Sequence, residues 1–425
     1  MRILHIDKFL DAADPASGGL GAYMPVVTRL LRAAGHTVLH FGCVAAERAQ
    51  ARHDPAPPAW AEHLAEMPPF IDYAALTGRW RRIRGGFRII HDHVAASRLD
   101  AFLSRHPADV AHVHRIYHHL TPSVLPVLRR RGIPVVMSVR DYRLLCPAKL
   151  FLRDGRTCRR CQPHRYWNCL LGNCGGDRPA SAAVALETFL QRFFRRYVQN
   201  VDFFLCPSQF MADAMREDAV PANKIRWIPH PVAAPASPAE AAQRDDVILY
   251  VGRLSAEKGL DLMLDVAEAL PDARVNIVGD GPMRQWLADQ AGSRGLKNVS
   301  MPGHVPNEQL GRHYCQAAVV VVPSRCFENS PYAMLEAMLA GRCVVAPAHG
   351  PIGEWIRDGQ TGRLFRPGDR EDLVRVVGEA LSDRAGRDRI ARAGRQLVRD
   401  RHDPDRAVGR LIDVYEEALG RCESP

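Results

Sequence analysis

Long hydrophobic runs are missing from this chain. The longest uninterrupted apolar stretch is six residues, 317–322, against the roughly 18 to 20 that a membrane-spanning helix needs. No bilayer-crossing segment is therefore expected. No secretory leader is expected either, because His5, Asp7 and Lys8 break the first apolar residues almost at once and leave no continuous apolar region. The expected location is the cytoplasm. Lysine is scarce: only Lys8, Lys149, Lys224, Lys258 and Lys297 stand among 57 basic residues, and the other 52 are arginines spread along the whole length. A GC-rich genome explains that skew without reference to function, and it makes a lysine in a loop worth noting. Compositional bias is also absent. With 47% hydrophobic and 24% charged residues, the chain is neither disordered, collagen-like nor coiled coil.

What is present is enough for two or three domains, since 425 residues stand against about 150 per domain. The net charge of +10 suits an acidic partner such as nucleic acid, anionic lipid or a phosphorylated substrate. Charge alone does not choose among them. Short β-branched runs alternate with longer helical patterns, which reads as α/β with largely parallel sheets. In the first half the strands fall at 2–6, 37–41, 110–113, 134–139 and 202–205, and in the second at 247–251, 273–278, 318–322 and 343–346. Between the halves, 232–245 is rich in Ala and Pro and reads as a linker. Residues 43–90 read as an irregular insertion, and 370–419 as helical throughout.

Three loops carry the chemistry, two of them rich in glycine. Ser17-Gly18-Gly19-Leu20-Gly21 follows the first strand and opens a helix, a place where backbone N–H groups can approach an anion; an ordinary tight turn reads equally well. The dinucleotide fingerprint is not met, since in Val278-Gly279-Asp280-Gly281-Pro282 the third glycine position holds Arg284. After the strand 247–251 comes Gly252-Arg253-Leu254-Ser255-Ala256-Glu257-Lys258-Gly259. Arg253 and Lys258 stand at a strand's carboxyl end, where two cations can grip a diphosphate. After 318–322, Glu328-Asn329-Ser330-Pro331 leads into a helix carrying Glu336. Ser330 reads as N-cap and Pro331 as the first helical residue. The two glutamates suit hydrogen bonds from sugar hydroxyls better than acid/base work.

These motifs resemble those of the retaining, nucleotide-sugar-dependent family-four glycosyltransferases with the GT-B fold, over nearly the whole chain. Gly350-Pro351-Ile352-Gly353-Glu354, Asp358-Gly359 and Thr361-Gly362 add to the likeness. It implies an α/β architecture of two Rossmann-like domains facing across a cleft: 1–235 on the acceptor side, 236–400 binding the nucleotide sugar, and a last helix in 401–425 returning to the first. The resemblance further implies that Arg253 and Lys258 hold the donor diphosphate, Glu328 the donor sugar and Glu336 the ribose. Gly18, Gly19, Gly252, Asn329 and Ser330 would line the donor site. His114 matches a histidine often found at the end of its strand and is grouped with the catalytic residues, although a packed or surface histidine is as good a reading. Two departures stand out. Relatives commonly carry His before the Asp-Tyr pair, whereas Arg140 precedes Asp141 and Tyr142 here on the acceptor side. The usual Glu-Pro-Phe-Gly is Glu328-Asn329-Ser330-Pro331.

Cys146, Cys158, Cys161, Cys169 and Cys174 fall within 29 residues. Any four could hold a structural zinc, with reduced thiols, a disulfide or an iron–sulfur cluster as alternatives. No catalytic metal is expected, since the one Asp-x-Asp, Asp403-Pro404-Asp405, sits in an Arg-rich helical tail. The expected partners are a UDP- or GDP-type sugar and a glycan or lipid-linked acceptor, in polysaccharide or glycoconjugate synthesis, with no nucleic acid. The stretch 189–197 is a basic amphipathic helix that could rest on an anionic membrane, with core packing the favoured reading. Rival readings are a nucleotide-sugar epimerase and a basic zinc-knuckle protein that binds nucleic acid.

Overall fold

The computed structural model describes residues 1–8, 19–43, 61–70, 88–235 and 244–423. Gly18, most of the 43–90 insertion and residues 236–243 of the linker lie outside them. The first strands of the described chain are β1 (Arg2–Asp7), β2 (Thr37–Gly42), β3 (Val110–Val113), β4 (Val135–Ser138), β5 (Leu152–Arg153), β6 (Arg156–Thr157), β7 (Phe203–Cys206) and β8 (Ile225–Trp227). The remainder are β9 (Val247–Val251), β10 (Arg274–Val278), β11 (Val299–Gly303), β12 (Val319–Val321), β13 (Cys343–Pro347) and β14 (Arg363–Phe365). They divide between two compact units.

The first unit comprises Met1–Lys149, Arg159–Pro229 and Asp405–Pro425. Its parallel sheet runs β2-β1-β3-β4-β7-β8. Strands buried on both faces need little alternation, and β3, β4 and β7 are buried at every residue. The register nevertheless sets a polar row into this core, with His5 opposite His40 on one side and His112 on the other. The helix Pro404–Glu423 belongs to this unit, and its buried Ala407, Val408, Leu411, Val414, Tyr415 and Ala418 recur at helical spacing along one stripe. Tyr415 places its hydroxyl 2.6 Å from His112 Nδ1, and Ser138 Oγ lies 2.8 Å from Nε2. On the same helix Glu417 accepts from Arg226 at 2.5 Å.

The second unit comprises Leu150–Cys158 and His230–Pro404. Its parallel sheet runs β11-β10-β9-β12-β13-β14, a doubly wound order that reverses between β9 and β12. Successive residues of β9 serve opposite faces: Ile248 and Tyr250 join one apolar cluster, and Val247 and Leu249 join the other. The antiparallel hairpin β5–β6 is counted with this unit, and Phe151 beside it meets the Phe327 ring edge-on. Trp355 donates its indole N–H to His402 Nε2 at 2.7 Å, and His402 Nδ1 lies 2.8 Å from the His230 carbonyl.

All nine strands expected from β-branched runs are present. Those passed over are β8, β11 and β14, each at a sheet edge, and the two-residue hairpin arms. An edge strand buries less and so shows a weaker apolar run, as Ile225-Arg226-Trp227 and Arg363-Leu364-Phe365 do. The closing helical stretch is real but broken at Asp383 and Asp403 into three helices.

Among the described residues the Tyr415 hydroxyl is the partner of buried His112 Nδ1. Tyr415→Phe should therefore cost about 1–2 kcal/mol, read as a lower urea midpoint at constant slope. An unchanged midpoint would show that the contact contributes nothing.

Candidate active site

Open parallel sheets gather ligands outside the carboxyl ends of the strands that flank the reversal in order. In the second unit these are β9 and β12, and the loops after them carry the residues singled out by sequence. After β9, Ala256–Lys258 form a 3₁₀ turn closed by Gly259 in the left-handed region at φ 65°. A Cβ on Gly259 would stand 2.3 Å from the Pro323 carbonyl oxygen, so only glycine allows the two loops this close. Arg325 N–H then donates to the Glu257 carbonyl at 2.9 Å. Between side chains, Lys258 Nζ donates to Glu328 Oε1 at 2.6 Å, and the Ser324 hydroxyl donates to the same oxygen. Burial works against the Lys258 charge, but the Glu328 carboxylate outweighs it and holds the ammonium pKa above its ordinary value. Lys258 is thus a fixed cation at any physiological pH.

Arg253 is placed differently. Its side chain is 54% exposed and reaches Glu257 at 3.3 Å, while Ser255 Oγ donates to Glu257 at 2.7 Å. Burial raises the Glu257 carboxyl, yet the Ser255 bond and the neighbouring cations hold it below the usual carboxylate range. The two cations of the loop are therefore one preset and one free to swing.

The helix Tyr332–Leu339 follows the β12 loop. Its N-cap is Pro331 without a side-chain cap bond, a correction to Ser330 as cap and Pro331 as first helical residue. The Pro331 carbonyl accepts from Met334 and Leu335, and the Ser330 hydroxyl is buried with no partner. Asn329 is buried. One and a half turns along, Glu336 accepts from the Tyr314 hydroxyl at 2.9 Å. Burial pushes the Glu336 carboxyl up to about 7, with the Tyr314 bond opposing. Ser324 and Tyr314 escaped the sequence reading, since neither lies in a glycine-bearing motif and only folding brings them to the glutamates.

In the first unit, Gly19 opens the helix Gly19–Ala33. His114 is fully buried, with Nε2 2.9 Å from His5 Nδ1. It belongs to the core of the sheet, and burial, followed by the nearby rings and Arg140, pushes its pKa well down. His5, His112 and His114 bring ring nitrogens within 4.8 Å of one another, but both nitrogens of His112 are engaged by Tyr415 and Ser138. Asp141 caps a short turn by accepting from Arg143 N–H at 2.9 Å, and buried Tyr142 meets the Phe210 ring edge-on. Arg140 lies over the Tyr23 ring at 3.6 Å. Absent from the sequence reading were the buried pair Arg143 and Glu187, which His118 joins at 3.3 Å. They line a pocket with Tyr117, Gln191 and Tyr197. Lys8 was also passed over; burial and the charges of Arg115 and Lys149 push it down to about 8.

The five cysteines are divided between the two units. Cys161, Cys169 and Cys174 pack with Tyr166 and Ala185, and Cys146 acts electrostatically on Cys169; Cys158 is counted with the second unit. Among the described residues no three of the five sulfurs lie within 4.8 Å of one another, whereas ligands on one tetrahedral zinc would be about 3.8 Å apart. Burial pushes the Cys169 thiol up to about 12.

Comparison with known proteins decides the family. Residues 18–231, just over half of the chain, match the model described as "Glycosyl transferase 4-like domain", and residues 236–397 match "Glycosyl transferases group 1". The chain is a GT-B glycosyltransferase of the family-four type. The glycosyltransferase is 37% identical over 153 residues to a sulfoquinovosyl transferase of Arabidopsis thaliana, covering 35% of this chain and 29% of the relative. It spans between 29% and 56% of the length of the curated relatives it matches. In fold it is similar to sucrose-phosphate synthase from Thermosynechococcus elongatus, with TM-score 0.70, 20% identity, and 99% and 100% of the two chains covered. Anabaena HepE, solved with UDP and glucose, gives TM-score 0.65 at 16% identity over 98% of this chain and 100% of its own.

The Glu336 position yields a pH test. A carboxyl raised from about 4.5 to about 7 by folding binds more protons folded than unfolded across that window. Its contribution to stability is complete below the lower value and lost as pH rises through the upper. Glu336 therefore works against stability as pH climbs from 4.5 to 7, whereas the buried neutral histidines His5, His40, His112, His114 and His402 favour it over the same range, so Glu336→Gln should make the melting temperature rise more with pH than it does in the parent. An unaltered pH dependence in the variant would overturn this reading of Glu336.

Proposed function

We propose that this glycosyltransferase moves a sugar from a UDP- or GDP-type donor to a glycan or lipid-linked acceptor, with retention at the anomeric carbon and without a catalytic metal. The setting would be cell-surface polysaccharide or glycoconjugate synthesis. The carrying observation is the Lys258–Glu328 contact, 2.6 Å across the loops after β9 and β12, with exposed Arg253 on the same loop. A diphosphate is the leaving group that such a pair of cations suits. Lys258 is already charged and positioned, so it costs little reorganisation as negative charge builds on the departing oxygen. Arg253 can close on the second phosphate by exchanging Glu257 for it. Glu328, oriented by Lys258 and Ser324, accepts from a donor-sugar hydroxyl, and Glu336 accepts from the ribose. HepE, of similar fold, is solved with UDP, which supports a nucleoside diphosphate donor here. For the transfer step we favour front-face attack, with the leaving phosphate taking the acceptor proton.

The experiment is a screen of UDP- and GDP-sugars against pooled acceptors, followed by transfer kinetics and NMR of the first-formed product. Lys258→Ala should lower turnover about 100-fold or more, with retained anomeric configuration and no loss of parental activity on chelation. Near-parental turnover in the variant, or an inverted product, would refute the corresponding part.

The surface of the first unit supports a membrane-associated setting. Core packing was the favoured reading of the 189–197 stretch, but Leu186, Phe189, Phe193 and Phe194 are 52%, 48%, 68% and 52% exposed. Trp167 and Leu171, on the helix Trp167–Leu171 packed against Arg178–Phe193, are also exposed. Contiguous exposed apolar area of this kind marks an interaction site. Arg192, Arg195 and Arg196 adjoin it, so the partner we assign is an anionic lipid surface. No helix among the described residues is long and apolar enough to cross a membrane. The protein should sediment with phosphatidylglycerol vesicles but not with phosphatidylcholine vesicles. Phe189→Ser with Phe193→Ser should abolish that binding, and equal sedimentation of the double variant would remove the assignment.

A further inference from the structure

Arg140 stands just after β4. Its guanidinium carbon lies 3.6 Å from the centroid of the Tyr23 ring. Stacking of this kind fixes the plane and leaves the edges of the group for hydrogen bonds. Two nitrogens, Nε and Nη2, are buried and have no hydrogen-bond partner. They are neighbours on one edge, and together they form the two-pronged fork by which arginine binds a carboxylate or phosphate. Among the described residues no acid forms an ion pair with Arg140.

The surroundings leave this charge uncompensated. The nearest titratable rings, His5, His112 and His114, are held neutral, chiefly by burial and in part by Arg140 itself. Buried His114 Nδ1 and His5 Nε2 are likewise without partners. A dry guanidinium edge with no counter-charge is costly unless a ligand supplies one. Along the same strand ends stand Lys8 and Arg115, after β1 and β3, with Lys149 near Lys8. Asp7 answers Arg115 at 3.1 Å, so the open donor pair is that of Arg140.

We propose that Arg140 receives an oxyanion of the acceptor, a phosphate or a carboxylate seated on Nε and Nη2. This rests on the reading of the first unit as the acceptor side, and it narrows the acceptor to an anionic one: a phosphorylated lipid carrier or an acidic sugar. Arg140 is then a binding residue that selects charge.

The test uses the full chain with two matched pairs of probes, farnesyl phosphate against farnesol and methyl glucuronide against methyl glucoside. Binding is measured by calorimetry on the parent, Arg140→Gln and Arg140→Lys, with and without UDP. One anionic probe should bind about tenfold or more tightly than its neutral partner. The pair that shows the preference identifies phosphate or carboxylate. Arg140→Gln should erase the preference, and Arg140→Lys, which keeps the charge but not the fork, should restore only part of it. Equal binding within both pairs, binding of none of the probes, or a preference that survives Arg140→Gln overturns the proposal. Melting distinguishes a structural role: removing an uncompensated buried charge should leave the midpoint unchanged or higher, and a lowered midpoint with intact discrimination counts against the proposal. UDP and GDP affinities are measured separately on the parent. Loss of nucleotide binding strikes the donor reading, while the probe pairs still decide on Arg140.

Discussion

The contact between Lys258 and Glu328 is the constraint on which the donor-side geometry depends. Strand order alone places the loops after β9 and β12 side by side, but adjacent loops do not by themselves present a cation in a fixed place. Three features convert adjacency into a site. Gly259 lets one loop touch the Pro323 carbonyl of the other, the Arg325 N–H bonds to Glu257 across the gap, and the ammonium–carboxylate pair closes over them. Each partner would be expensive at this depth without the other. The pair therefore holds both charges in place before any ligand arrives, and with them the direction from which the helix Tyr332–Leu339 starts.

The first unit shows the opposite arrangement. Its sheet core contains a row of imidazoles, but they are kept neutral and satisfied largely by one another, by Ser138 and by Tyr415. Neutral polar groups in mutual hydrogen bonds cost far less than ions, so the row can be tolerated in a buried sheet where four charges could not. Arg140 is the exception at the edge of that row, a permanent cation because guanidinium does not give up its proton. Its stack on Tyr23 offsets part of the desolvation and leaves the hydrogen-bonding edge open. One unit thus carries a neutralised charge pair at its strand ends, and the other carries an unanswered charge.

The parallel strands were legible because a strand buried on both faces is a run of β-branched residues and little else, as 110–113 and 247–251 are. The loop after β9 was legible for a similar reason: glycine and lysine are conspicuous in a chain with five lysines. Partnerships between distant segments were not legible. Nothing near Glu336 in sequence announces Tyr314, and nothing near Lys258 announces that Glu328 rather than a second cation is its neighbour. His114 shows what local pattern leaves open: a place at the end of a strand does not announce the buried His5 ring that its Nε2 meets. The Phe189 to Tyr197 stretch failed in the other direction. Aromatic residues at helical spacing suggest core, and only the packing of the helix Arg178–Phe193 decides that the apolar stripe has no core to enter. Clustered cysteines suggest a metal, and spacing alone fixes neither the depth nor the distance of the sulfurs.

The unequal placement of Arg253 and Lys258 bears on how a donor would be held. If both cations were exposed, each would lose side-chain freedom on binding, a cost of up to about 2 kcal/mol for a long side chain. Lys258 has met that cost on folding, because Glu328 already fixes its head group. Arg253 has not, and its weak tie to Glu257 at 3.3 Å is the kind of solvent-exposed pair worth well under 1 kcal/mol. Exchanging Glu257 for a phosphate therefore gives up little and gains a charge-assisted contact of greater strength. Under the proposed function this gives an order: the fixed cation would define where the diphosphate sits, and the mobile one would follow it and close. A substitution at Arg253 then acts on the closing of a site that Lys258 still marks, whereas one at Lys258 also strands the Glu328 carboxylate without its counter-charge.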